Sequence, residues 1–245
     1  MTVLEALAIV GAGAVAGGVN TVVGSGSLIT FPTLLAVGYA PVTANVSNSI
    51  GLVPGGVSGS IGYRAELRGQ GRRTVILGTG TTIGAVIGGV LLLTLPGSVF
   101  KAVVPALILI SVALMAFRPA PRQHEGGNNM VAGVASSFAT GVYGGYFGAA
   151  QGIILMSLLR LCFSENLQVL NAIKNVLAGI ANLVAGILFA FVAPQVAWGA
   201  AALIAVGSTV GAQVGARYGR RLPEEILRRV VIVYGVIVAI VLIVT

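Results

Sequence analysis

Ten stretches of mainly apolar residues, joined by short polar or basic connections, constrain this chain more than any other feature. Eight of them approach the ~20 residues with which an α-helix crosses the hydrocarbon core of a bilayer. Charged residues make up 8% of the 245 positions, against roughly 25% in soluble domains. We therefore predict an all-α, polytopic transmembrane helical bundle. The stretches run over about residues 3–20, 26–38, 42–63, 74–95, 99–117, 129–147, 149–161, 168–190, 198–216 and 226–245.

Two of the ten stretches, 26–38 and 149–161, are short and begin in glycine-rich sequence. A membrane interior contains no water to satisfy free backbone groups, so an interrupted helix is tolerated there only where protein or an aqueous cavity surrounds it. We expect both stretches to be discontinuous or re-entrant half-helices that lie inside the bundle.

The basic residues predict an orientation. If each stretch crosses the membrane or returns, twelve of the fourteen basic residues fall on one side, whereas Lys101 falls on the other and Lys174 lies within a stretch. By the positive-inside rule this side is cytoplasmic, so both termini are predicted outside a multi-pass protein of the cell inner (plasma) membrane. The twelve are Arg64, Arg68, Arg72, Arg73, Arg118, Arg122, Arg160, Arg217, Arg220, Arg221, Arg228 and Arg229.

An internal repeat divides the chain into two halves. At a spacing of 127 residues Asn48 aligns with Asn175 and the dipeptide Leu95-Pro96 with Leu222-Pro223, while Gly24 pairs with Gly148 at a spacing of 124. The loop 64–73 is basic, but its counterpart 191–200 is uncharged, which favours halves of inverted topology. We predict a first repeat over 1–118, a cytoplasmic linker over 119–128 and an inverted second repeat over 129–245.

Glycines recur every fourth residue in one stretch of each half. Such a row forms a smooth stripe on one helix face and lets another helix approach closely. We therefore predict a packing role rather than a substrate-binding role for both stripes. They comprise Gly80, Gly84 and Gly88 in the first half and Gly207, Gly211 and Gly215 in the second.

The glycine-rich breaks that open the two half-helices are the predicted substrate site. The N-terminus of a helix presents free N–H groups and a positive dipole end, which favour an anion. Polar residues occupy repeat-equivalent positions beside each break, and amides can donate to oxyanions. The candidate substrate-binding residues are Gly24, Ser25, Gly26, Ser27, Asn45, Ser47, Asn48, Gly148, Gln151, Gly152, Asn171, Lys174 and Asn175.

Lys174 breaks the symmetry of this site, because its counterpart in the first half is Ser47. A charge at the centre of a membrane helix costs about 2.5 to 3.5 kcal/mol, so the ammonium group requires a partner or a wet cavity. No Glu is available within the membrane, since Glu5, the one Glu inside an apolar stretch, lies at the very start of its stretch, and the chain has no Asp. We expect an anionic ligand to provide the counter-charge; the alternative is that Lys174 snorkels to the cytoplasmic interface.

At these residues the sequence resembles the sulfite exporter TauE/SafE family of transporters, in which each half has a glycine-rich break, a proline and a polar helix. The corresponding residues are Gly24 to Leu28 with Pro32, Ala44 to Asn48, and Gly148 to Gly152. The resemblance covers essentially the whole chain. It implies transport of sulfite, sulfonates, thiosulfate or related sulfur-containing anions.

We accordingly expect a secondary transporter that binds a small sulfur-containing oxyanion by alternating access around a site at the membrane midplane. An anion channel could use the same residues, and a membrane protein relaying sulfur through Cys162 is a further alternative. An enzyme is not expected, because His124 lies in a polar loop and no nucleophile–base set lies in the apolar stretches. We expect no cofactor, metal or nucleic acid; the lipid bilayer is the expected surrounding, and a homodimer is possible.

Overall fold

The structure is a computed structural model, and it describes residues 1–116, 128–193 and 195–218. The regular secondary structure of these residues consists of nine α-helices. They are α1 (Val3–Val22), α2 (Ser27–Ala36), α3 (Pro41–Gly62), α4 (Gly71–Thr94), α5 (Gly97–Ala116), α6 (Met130–Tyr146), α7 (Gln151–Cys162), α8 (Leu167–Val192) and α9 (Trp198–Tyr218).

The predicted all-α bundle is confirmed, and nine of the ten apolar stretches form helices. The tenth stretch, 226–245, and linker residues 119–127 lie outside the described residues. Four helices, α1, α4, α8 and α9, are long and apolar enough to cross a membrane. The 22-residue α3 is as long but is not among the helices with this apolar character; a helix enclosed by its neighbours need not present an apolar surface all round.

The glycine stripes pack helices of different halves together. Gly207 and Gly211 of α9 face the backbone of Val10 and Ala14 in α1, and no room remains there for a Cβ atom. The equivalent stripe of α4 lies in the same way against the backbone of α6, where Gly88 contacts Val142. The predicted packing role of both stripes is confirmed, because only glycine permits backbones to approach so closely.

The helix contacts repeat when the two halves are exchanged. The first helix of each half packs on the fourth helix of the other, as α1 on α9 and α6 on α4. The third helix of each half, α3 or α8, carries polar candidate residues, and these two helices contact each other between the pairs, with Gly56 against Gly179. This arrangement is consistent with the predicted repeat and places α3 and α8 at the centre of the bundle.

The described arginines lie at one end of the bundle. Arg73, at the start of α4, forms an ion pair of 2.6 Å with Glu165 in the α7–α8 connection. At the same end the backbone of Asn129, which precedes α6, is bonded to Cys162 at the end of α7. Gly62 at the end of α3 contacts Ala216 near the end of α9. We call this end, which also carries Arg64, Arg68, Arg72, Arg160 and Arg217, the basic end.

Candidate functional site

The two glycine-rich breaks meet in the bundle. The N–H group of Gly152 donates a hydrogen bond of 3.0 Å to the carbonyl oxygen of Gly24. A Cβ atom on Gly24 would lie 2.6 Å from the Cα of Gly152, so the two backbones touch. The predicted convergence of the breaks is therefore confirmed. In this conformation they close directly on each other, and no space for an anion remains between these two glycines.

The chain reverses after α1 and after α6 through the same turn. Gly24 has φ +90 and Gly148 has φ +74, and each donates its N–H to the carbonyl five residues earlier, that of Val19 or Tyr143. This left-handed conformation favours glycine. Ala150 also has a positive φ, of 55, although a Cβ makes it costly; such strain often accompanies functional sites.

Both half-helices begin next to this contact. α2 starts at Ser27, three residues after Gly24, and α7 starts at Gln151, one residue before Gly152. Two positive dipole ends therefore share one buried region. Part of the donor set is already occupied, because Gly152 donates to Gly24 and the N–H of Gly26 donates to the Asn20 side chain at 3.4 Å.

The polar residues of α3 contact three different elements. The Asn48 carboxamide oxygen accepts a hydrogen bond from the Thr30 hydroxyl of α2, which places Asn48 beside the first half-helix. Asn45 donates from Nδ2 to the carbonyl of Tyr146, the last residue of α6, at 3.0 Å. Ser47 accepts from the N–H of Ala197, just before α9, at 2.9 Å. Ser47 thus fixes the start of α9, and its substrate-binding role stays a prediction.

The three candidate residues of α8 all contact the end of α1. The ammonium nitrogen of Lys174 lies 3.0 Å from the carbonyl oxygen of Asn20, and the amides of Asn171 and Asn175 donate to the carbonyl of Thr21 at 3.2 and 3.1 Å. The last carbonyls of a helix have no partner within it, and they carry the negative dipole end. These three buried side chains therefore cap α1.

Lys174 is 1% exposed, and seven residues, about 10 Å of helix, separate it from the start of α8. Its burial is compensated by the carbonyl oxygens of α1. The C-terminus of a helix thus offsets this charge, a partner that the residue types alone do not reveal, and an anionic ligand as further counter-charge stays a prediction. Snorkelling to the interface is excluded by this burial.

Three buried donor atoms around the breaks have no hydrogen-bond partner among the described residues. They are the Ser25 hydroxyl, Nδ2 of Asn48 and Nε2 of Gln151. Each residue is 3% exposed or less. Ser25 adjoins Gly24, Gln151 adjoins Gly152, and Asn48 is bonded to Thr30 in the first turn of α2. Because buried donors without acceptors are unfavourable, these three groups are available to donate to a ligand that provides oxygen atoms.

An aromatic cluster lies against one side of the breaks. The rings of Phe31 and Phe147 pack edge to face at 5.2 Å between centroids, and Phe100 contacts both Phe147 and Tyr146. Phe31, Phe100 and Phe147 are each 1% exposed. The cluster excludes water on this side, which strengthens electrostatic interactions at the breaks.

Several residues of the site were not among the sequence candidates. Asn20 and Thr21 accept from α8 through their carbonyls, and Thr30 orients Asn48. The Tyr143 hydroxyl donates to the carbonyl of Ala149 at 2.6 Å and holds the second break. A signal was present for Asn20 and Thr30, which are polar residues inside apolar stretches, but backbone acceptors carry no signal in the sequence.

Two surface cavities lie away from the breaks. One is apolar and lies between α4 and α6, where Phe138 and Met130 line it. The other, of about 400 Å³, lies at the basic end between α3 and α9. Neither is lined by a candidate substrate-binding residue.

The chain is similar to known membrane proteins over most of its length. The family model described as Sulfite exporter TauE/SafE matches residues 9–242. A probable membrane transporter protein of Haemophilus influenzae is 26% identical over 199 residues, which cover 80% of this chain and 78% of the relative. The probable membrane transporter protein YfcA of Escherichia coli K12 is 23% identical, covering 78% of this chain and 72% of the relative. No solved structure matches the chain at a significant level.

Proposed function

Because this chain belongs to the sulfite exporter TauE/SafE family, a family of membrane transporters, we propose that it is a secondary transporter of a small sulfur-containing oxyanion. The family and the relatives named above support a transporter. The site supports an anion as substrate, since it combines two helix N-termini with unpartnered donors. The family description names sulfite, and the extension to sulfonates and thiosulfate is part of our proposal.

The three unpartnered donors carry this proposal. The Ser25 hydroxyl, Nδ2 of Asn48 and Nε2 of Gln151 belong to three separate elements, and all are buried at the breaks. In our proposal they donate to the oxygens of the anion, which lies beside the Gly24–Gly152 contact. Asn171, Lys174 and Asn175 act indirectly, because they fix the end of α1 from which the first break starts.

Alternating access is the proposed mechanism. The direct contact of Gly24 with Gly152 leaves no continuous path between these two breaks, which favours a carrier over a channel. In this mechanism the breaks separate toward one side of the membrane at a time and expose the donors to it. We propose that the basic end faces the cytoplasm of the plasma membrane, in accordance with the positive-inside rule.

Uptake by liposomes that contain the purified protein tests this function. We expect saturable uptake of sulfite, thiosulfate or a small sulfonate, accelerated by the same anion on the opposite side, as in a carrier. Unitary currents in a planar bilayer would instead indicate a channel. Absence of uptake of every sulfur oxyanion, measured in both directions, would refute the proposed substrate class.

Ser25→Ala tests the site itself. Removing an unpartnered buried hydroxyl does not lower the unfolding temperature, because no hydrogen bond is lost. It removes one donor to a charged ligand, so we expect the apparent KM to rise about tenfold. The matched control is Ser137→Ala in α6, which removes another buried, unpartnered hydroxyl about two to three helix turns before that helix ends. Equal KM values in both variants would exclude Ser25 from the site.

A further inference from the structure

A polar cavity opens at the basic end, where the last turns of α3 and α9 lie side by side. It has a volume of about 400 Å³ and is lined by Ile61, Gly62, Arg64, Ala65, Gln213, Ala216 and Arg217. Arg64 and Arg217 are exposed and form no ion pair with an acidic side chain of the described residues. Two guanidinium groups therefore face a cavity that contains no compensating negative charge among its lining residues.

Gln213 adds an amide to the two guanidinium groups. Its Nε2 donates to the carbonyl of Ser58 at 2.8 Å, which anchors the side chain to α3. The amide nitrogen carries two hydrogens, so one remains for another acceptor. Arginine and amide groups together form a donor set suited to a phosphate diester, which offers oxygens and one negative charge.

Apolar side chains continue from this cavity along the two helices. Ile61 lines the cavity, and Val57 lies one turn earlier on the same face of α3. On α9, Val206, Val210 and Val214 precede Arg217 at helical spacing. All five side chains are at least half exposed. In a helix long and apolar enough to span a membrane, as α9 is, such a strip faces acyl chains.

We propose that this cavity binds the headgroup of an anionic phospholipid from the leaflet at the basic end. The phosphate lies between Arg64 and Arg217, and the acyl chains lie along the strip of Val57, Ile61, Val206, Val210 and Val214. Charge complementarity selects an anionic over a zwitterionic headgroup, since two cations attract a net charge. The strip selects a lipid over a free phosphate ion, because a free ion gains nothing from apolar contacts.

Native mass spectrometry of the full-length protein in detergent, titrated with phosphatidylglycerol, tests this site. We expect phosphatidylglycerol to bind more tightly than phosphatidylcholine. Because each surface arginine contributes about fivefold in affinity for an anionic lipid, R64Q/R217Q should weaken phosphatidylglycerol binding about 20- to 30-fold, and should weaken the binding of phosphatidylcholine, which has the phosphate but no net charge, by less. Each single variant should weaken it about fivefold.

The matched control is R68Q/R72Q, which removes two exposed arginines from the same end of the bundle without touching the cavity. It should retain the affinity of the wild type. Equal weakening in both double variants would refute a defined site and indicate general attraction to the basic end. Displacement of the lipid by inorganic phosphate at the same concentration would also overturn the proposal, since the ligand would then be a free oxyanion.

Discussion

The ends of α1 and α6 occupy the same position in the two halves but are capped by different chemistry. Each helix is followed by a glycine with positive φ, at Gly24 or Gly148. The end of α1 receives an ammonium group and two amides from α8. Within the part of the chain that the structure describes, the end of α6 receives the side-chain amide of Asn45 from α3.

In the predicted repeat, this difference makes the centre asymmetric. Backbone geometry is retained in both halves, because the turn requires glycine at the same place. The capping side chain is exchanged freely, since any donor can satisfy a helix carbonyl. One end of the pair thereby carries a buried positive charge, and the other remains neutral. In the proposed mechanism, a substrate at the breaks would meet two unequal surroundings.

Substitution of the two turn glycines is expected to have the largest effect. Gly24→Ala combines a positive φ with a Cβ atom 2.6 Å from the backbone of Gly152, so we expect a loss of more than about 3 kcal/mol in stability. In Gly148→Ala the nearest atom is at 3.1 Å, and about 1 to 2 kcal/mol is expected. Thermal unfolding in detergent provides the measurement.

Gly38→Ala separates the backbone cost of a positive φ from the cost of the steric contact in the stability loss expected for Gly24→Ala. Gly38 has φ +98, and no atom lies within 4 Å of the position that a Cβ atom would take there, so only the backbone cost remains. It should resemble Gly148→Ala rather than Gly24→Ala. If all three variants unfold at the same temperature, the contact between the breaks contributes nothing to stability.

The side chains that cap α1 and α6 should also contribute unequally to stability, but by a smaller amount. Lys174→Met removes a charge-assisted hydrogen bond to the end of α1 and should cost about 2 kcal/mol. Asn45→Ala removes one neutral bond, together with a carbonyl oxygen that lacks a partner, and should cost less than about 1 kcal/mol. Lys101→Met, a change at an exposed residue, is the control and should be neutral. An Asn45→Ala effect as large as that of Lys174→Met would contradict the asymmetry.

The starts of α1 and α6 also differ, and the effect on stability expected there is the smallest. α1 begins with a local capping box of Thr2 and Glu5, whereas the start of α6 is tied to the rest of the basic end: Arg73 bonds Asn128 and Glu165. A double-mutant cycle of Arg73→Gln and Glu165→Gln should give a coupling of about 1 kcal/mol, reduced in high salt. A cycle of Arg72→Gln with Glu165→Gln should show no coupling.

Much of the fold could be predicted from the sequence, because the signals concerned are local. Apolar length determined nine helices, and glycine spacing located the close contacts of α4 and α9. The breaks were located by glycine clusters, which interrupt a helix wherever they occur in apolar sequence. Asn45, Asn48 and Gln151 were identified as polar candidate residues beside the breaks, and each retains one unpartnered atom.

The partner of Lys174 could not be predicted in this way. Its acceptors are backbone carbonyls of Asn20 and Thr21, more than 150 residues away in the chain, and every residue has such a group. Similarly, Ser47 and Lys174 are equivalent in the predicted repeat. Ser47, however, accepts a hydrogen bond from the start of α9, whereas Lys174 donates to the end of α1.

The sequence by itself determined that this protein is a helical membrane bundle with two glycine breaks and a few buried polar residues, since hydropathy and backbone flexibility depend on residue type alone. Only the tertiary structure decided which of those polar residues cap a helix and which keep a free donor. That outcome depends on which side chains pack against which helix ends. Every helix end has the same free backbone N–H or C=O groups whatever its sequence, so only tertiary packing decides which side chain bonds to them.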